Sequence, residues 1–139
     1  MQITSKQVLI ISISIFVLSL IPDAYCYNDC SSSSNGLFLF LFGWIGSFFG
    51  GAGLCWLANP LIIFSWILYK TEKESIILSG IASVIAGSFL IFDKIIIDEA
   101  GHYGEINEYL IAYQLWLLSI VVFFIGNLIV KIQFNKKQK

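Results

Sequence analysis

The sequence predicts an all-α fold, a membrane-embedded helical bundle of about four transmembrane helices. Three observations lead there. Of 139 residues, 58% are hydrophobic and only 12% charged, with a mean hydropathy of +0.84. A water-soluble domain could not cover that much apolar side chain with so few charged groups. The apolar residues also fall in long runs separated by short polar segments, the pattern of helices that cross a bilayer. Finally, the lysines fall on alternate polar segments, as expected of a chain that threads a membrane under the positive-inside rule. All of residues 1–139 reads as one transmembrane domain.

The first expected span covers residues 5–22, following Lys6 and ending at Pro22 and Asp23. It reads as a retained anchor. A cleaved signal peptide is the alternative, because the run is short and Ala24 and Cys26 are small residues near a processing position. A polar loop from Cys26 to Asn35 follows. Residues 36–69 then form one apolar stretch, which as a single straight helix would reach about 51 Å, well beyond a hydrocarbon core of about 30 Å. Gly50-Gly51-Ala52-Gly53 is poor helix interior, and Asn59-Pro60 disfavours a continuous helix. We therefore expect an interfacial or re-entrant segment over 36–50 and a span over 52–69, with a long tilted helix as the competing reading. Residues 75–97 and 109–130 are long enough to cross as helices, since unpaired backbone groups are not tolerated in lipid.

Lys6, Lys70, Lys73, Lys131, Lys136, Lys137 and Lys139 fall on one side of this arrangement, and only Lys94 on the other. The expected address is a bacterial inner membrane, multi-pass, with the C-terminus cytoplasmic. Small residues recur on single faces: Ser75, Ser79, Ser83 and Gly87; Ala112, Ser119 and Gly126; and the pair Gly46 and Gly50. Such residues let helix backbones approach closely, within this bundle or with a partner.

Chemistry-bearing residues are few. Cys26 and Cys30, four apart in an outward and oxidising loop, are expected to form a structural disulfide. Cys55, in an apolar run, reads as an inert thiol. Asp98, Glu99, His102, Glu105 and Glu108 make the one dense polar cluster outside the runs, with Asp93 and Lys94 just before it. Glu99 and His102 have the spacing of one half of a di-metal carboxylate site, but the second half is missing. A solvated acidic loop surface is the expectation, with no metal and no cofactor. There is no HExxH, GxSxG or phosphate loop, so no enzyme is expected. A net charge of -1 and the lack of a basic patch argue against a nucleic-acid partner.

Three stretches carry a resemblance. They are Trp56-Leu57-Ala58-Asn59-Pro60-Leu61 with Ser65-Trp66-Ile67, Asp98-Glu99-Ala100-Gly101-His102-Tyr103 with Glu105-Ile106, and Tyr113-Gln114-Leu115-Trp116-Leu117-Leu118-Ser119. Together with a cysteine-bearing loop after the first apolar run, the chain resembles a group of uncharacterised bacterial small membrane proteins, from about Cys26 to Asn127. Gln114 departs from the aromatic usual there. The resemblance implies a bacterial inner-membrane address and brings no activity.

The expected function is that of a non-enzymatic accessory or assembly subunit, packing through its helices against other membrane proteins or its own copies in the lipid bilayer. An immunity protein against a pore-forming toxin and a small channel or transporter are the alternatives. The first is an analogy of size and topology, and the second needs more polar groups at mid-membrane than the runs contain.

Overall fold

A computed structural model describes residues 3–98 and 101–137. Helix α1 (Ser5–Ser19) begins at a capping box, in which the Thr4 hydroxyl accepts from the Gln7 amide at 3.3 Å and the Gln7 side chain accepts from the Thr4 amide at 3.0 Å. Beyond Pro22 the chain forms strands β1 (Asp23–Tyr27) and β2 (Ser32–Asn35). The Asn35 side chain accepts from the Leu37 amide and opens α2 (Gly36–Phe42), which leads to the short α3 (Trp44–Ser47). Gly50 and Gly51, at φ +76° and +57°, turn the chain into a 3-10 segment, Gly51–Leu57, continuous with α4 (Ala58–Ile67). Left-handed backbone of this kind favours glycine. Pro60 lies in the first turn of α4, at the junction with the 3-10 segment, where its fixed φ suits helical backbone. Helix α5 (Glu72–Ser88) ends in a 3-10 turn, Phe89–Ile91. Strands β3 (Lys94–Ile96) and β4 (Tyr103–Tyr109) precede the long α6 (Ile111–Lys137).

This architecture corrects the expected all-α bundle of about four spans. Of the described residues 67% are helical, but they also form a curled four-stranded antiparallel sheet in the order β2-β1-β4-β3. Among the described residues two helices, Glu72–Ile91 and Ile111–Lys136, are long and apolar enough to cross a membrane. With 15 residues, α1 reaches only about 22 Å, and the continuous helical stretch Gly51–Ile67 is likewise short of a 30 Å core.

The sheet has a physical cause. The two connections expected as loops, 26–35 and 98–108, emerge side by side from the same end of the helices and satisfy each other's backbone groups. Cys26 lies opposite Glu108 and Tyr25 opposite Tyr109 across β1–β4, while Lys94 faces Glu105 across β3–β4. The run expected as helix over 75–97 therefore stops early. Its final isoleucines, Ile95 and Ile96, are β-branched and pair with Gly104 and Tyr103.

Below the sheet, α1 packs on α6, and α5 lies between α4 and α6. The core is built around Phe123, Ile120, Ile62 and Ala82. Buried polar side chains cross-link it at three levels. The Trp116 indole donates to Asn59 Oδ1 at 2.8 Å, near the sheet. The Ser12 hydroxyl donates to the Ser119 carbonyl at 2.9 Å and accepts from the Trp66 indole at 3.0 Å. The Ser65 hydroxyl donates to the Ser75 carbonyl at 2.7 Å, and Asn127 Nδ2 donates to Ser75 Oγ at 3.1 Å. Among the described residues no buried side-chain polar atom lacks a partner. In an apolar core that satisfaction avoids the desolvation cost of an orphaned group.

Candidate binding site beneath the sheet

The sheet, the tops of the helices and the segment from α2 to the 3-10 turn line a partly open cavity of about 630 Å³. The α2–α3 segment and the Gly51–Leu57 turn form its side wall as a helical hairpin. The Trp56 indole donates to the carbonyls of Leu39 and Phe40, both at 3.1 Å. Gly46 and Gly53 pass so close that a side chain at Gly53 would strike the Gly46 backbone. Phe40 reaches inward, edge-on to Phe16 at 5.5 Å.

An aromatic column forms the back wall. Phe89 stacks at 5.6 Å from Tyr25 and from Tyr109, and at 5.3 Å from Tyr113, which in turn lies 5.9 Å from Trp116. Hydroxyls at its edge bond to backbone carbonyls at and just beyond the end of α5. Tyr109 donates to the Phe92 carbonyl at 3.0 Å, and Tyr113 to the Ala86 carbonyl at 3.0 Å. Burial pushes the Tyr25 hydroxyl above its ordinary pKa of 10.0. Burial does the same to Tyr109, and the nearby Asp93 carboxylate adds to it. The sequence reading missed Tyr25, Phe89 and Tyr113. A signal was present in Tyr113 and Trp116, three residues apart on one face of α6 with Tyr109 just before it.

The residues singled out from sequence lie around this cavity and below it. Cys26 and Cys30 are joined in a disulfide at the β1–β2 turn, with Cα atoms 4.8 Å apart. Asn28, Asp29 and Cys30 between the strands are all left-handed, at φ 53°, 55° and 57°. Glu108 comes close enough to complete a three-ligand group with the two sulfurs, but a disulfide offers no thiolate to a metal. Cys55 is buried, its sulfur 3.5 Å from the Ser88 hydroxyl.

The expected acidic loop is instead a turn and a strand. Asp98 and His102 lie across the β3–β4 turn, with Asp98 Oδ2 at 2.5 Å from His102 Nδ1, while Glu105 and Glu108 stand on β4. Glu99 lies outside the described residues. Lys94 pairs with Glu105 at 3.6 Å, both side chains exposed.

Of the packing residues, a side chain at Gly126 would meet Val8 Cγ2 at 2.8 Å, whereas Gly87 and Gly50 face open space. Ser79 and Ser119 are buried, and Ser83 returns its hydroxyl to the Ser79 carbonyl at 2.8 Å. The hydroxyls of Ser79, Ser83 and Ser119 thus bond back to their own helices, whereas Ser12, Ser65, Ser75, Asn59 and Asn127 link one helix to another. Compared with protein-family models, with curated proteins and with solved structures, the chain finds no match.

Proposed function

We propose that this protein is a small multi-pass protein of the bacterial inner membrane that acts without catalysis of its own, as an accessory or assembly subunit for membrane partners. In this reading α5 and α6 cross the bilayer, α1 and α4 pack along them, and the sheet caps the outer side with the C-terminus in the cytoplasm. The observation that carries it is the distribution of apolar surface. Large apolar side chains point outward along every long helix, among them Val84 at 73% and Ile67 at 67% exposure, while polar side chains are turned inward and paired. That inversion suits lipid or another membrane helix rather than water.

The charges support the same orientation. Lys6, Lys70, Lys73, Lys131 and Lys136 lie at the end away from the sheet, and the sheet end carries Asp23, Asp29, Asp93, Asp98, Glu105 and Glu108 with Lys94 as its one described lysine. The test is a tagged pull-down from native membranes under mild, lipid-preserving extraction. A stoichiometric membrane partner is the expected result. Recovery of the chain alone would overturn the accessory reading.

A further inference from the structure

We infer that the cavity beneath the sheet holds one acyl chain of a zwitterionic phospholipid, whose headgroup is read at the rim by Asp93, Lys94 and Glu105. The inference rests on the membrane placement proposed above and goes beyond it by naming a ligand. A volume of about 630 Å³ lies in the usual range for a ligand site, roughly 300–1,000 Å³.

The occupant's chemistry follows from the walls. The indoles of Trp56 and Trp116 and the hydroxyls of Tyr109 and Tyr113 donate to partners within the chain. Most of the remaining lining is apolar, Phe16, Leu39, Phe89 and Ile95 among it, so the interior suits an apolar chain. The route in is apolar as well. On the hairpin that forms the side wall, Phe38 and Phe42 line the cavity and are also exposed, and Phe48 beside them is 80% exposed.

The rim supplies the headgroup's match. Asp93 and Lys94 border the cavity and are exposed, and Glu105 lies 3.6 Å from the Lys94 ammonium. A cation paired with one carboxylate, with a second carboxylate next to it in the chain, suits a group carrying both signs. The phosphate would face Lys94 and the ammonium the carboxylates, whereas a purely anionic headgroup would meet two like charges.

The experiment has two stages. Membranes from expressing cells are first washed with alkaline carbonate. Protein released into the soluble fraction would defeat both the membrane placement and this inference. Protein retained in the membrane is then extracted in detergent, exchanged extensively, and its bound lipid quantified by mass spectrometry. The expected result is about one phospholipid per chain, enriched in ethanolamine headgroups over the bulk membrane. Ala52→Phe, which places a ring inside the cavity, should displace it. Lys94→Gln, at an exposed position where no packing is lost, should lower the headgroup enrichment by about fivefold, the scale of one exposed ion pair, and keeps the test open if Ala52→Phe does not accumulate. A membrane-retained protein that carries no lipid, a different amphiphile, or a lipid indifferent to Lys94→Gln would overturn the inference while leaving the membrane placement intact.

Discussion

Two glycines separate close packing from mere sequence pattern. Gly126 lies against Val8 of α1, so Gly126→Leu must push that helix away or distort its own. Overpacking of this kind costs about 1–3 kcal/mol. Gly87 faces open space, and Gly87→Leu should shift stability by less than about 0.5 kcal/mol. Unfolding of both variants in detergent, followed by tryptophan fluorescence, should show the first clearly destabilised and the second close to the parent. Both glycines sit on small-residue stripes that look alike in the sequence. Which stripe meets a neighbour depends on helix rotation, and period alone does not set rotation when nearly every other position is apolar.

Tyr25 offers a titration at the same scale. Its hydroxyl is neutral and buried beneath β2, so the folded protein holds its pKa above the ordinary 10.0 while the unfolded chain does not. The stabilisation that this neutral group contributes is complete below about pH 10 and is lost as pH rises through the folded value, because only the unfolded state releases the proton in that window. Tyr25→Phe should therefore weaken the alkaline fall in stability. Tyrosinate absorbance followed from pH 9 upward checks it, and the variant should lack one of the late-titrating groups.

The elements show what the sequence made legible and what it hid. Helices α5 and α6 stand out because twenty or more residues of sustained apolar character leave few alternatives. The break after α3 was equally readable, since consecutive glycines at Gly50 and Gly51 mark a turn that other residues disfavour. The sheet was not. Its strands are three to seven residues long, and two of them looked like other things: Ser32–Asn35 like a flexible linker, and Ile95–Ile96 like the end of a membrane helix. Their pairing is non-local, Cys26 against Glu108, and nothing in either segment alone announces the other. The cavity went unread for the same reason, because the sheet is its roof.

The disulfide is a device of the hairpin rather than of the helices. Cys26 and Cys30 close a loop of five residues, for which the chain-entropy estimate is about 2 kcal/mol. Cys30→Ser should loosen β1–β2 and leave α5 and α6 unchanged. Hydrogen exchange is the measurement. Amides of Tyr25 and Tyr27 should exchange faster in the variant, and those of α6 at the same rate.

At the scale of the whole molecule, charge and shape make one statement about direction. The helices that can cross a membrane run antiparallel, joined at the sheet end by β3 and β4, and their other ends carry Lys70 and Lys73 on one and Lys131 and Lys136 on the other. Moving either lysine pair outward would oppose the bias that sets orientation. On the placement proposed above the sheet would face outward, where a disulfide is chemically at home. The two ends can be tested separately, using single cysteines in a background with Cys26, Cys30 and Cys55 replaced by serine. Tyr103→Cys, at the exposed tip of β4, should react in intact cells with a maleimide that does not cross the inner membrane. Lys70→Cys should react only after the cells are opened. Labelling of Lys70→Cys alone in intact cells would invert the orientation and, with it, the leaflet from which the cavity draws its lipid. Labelling of both would mean that the chain does not separate two compartments, and the outward apolar faces of α5 and α6 would then have to be buried against protein.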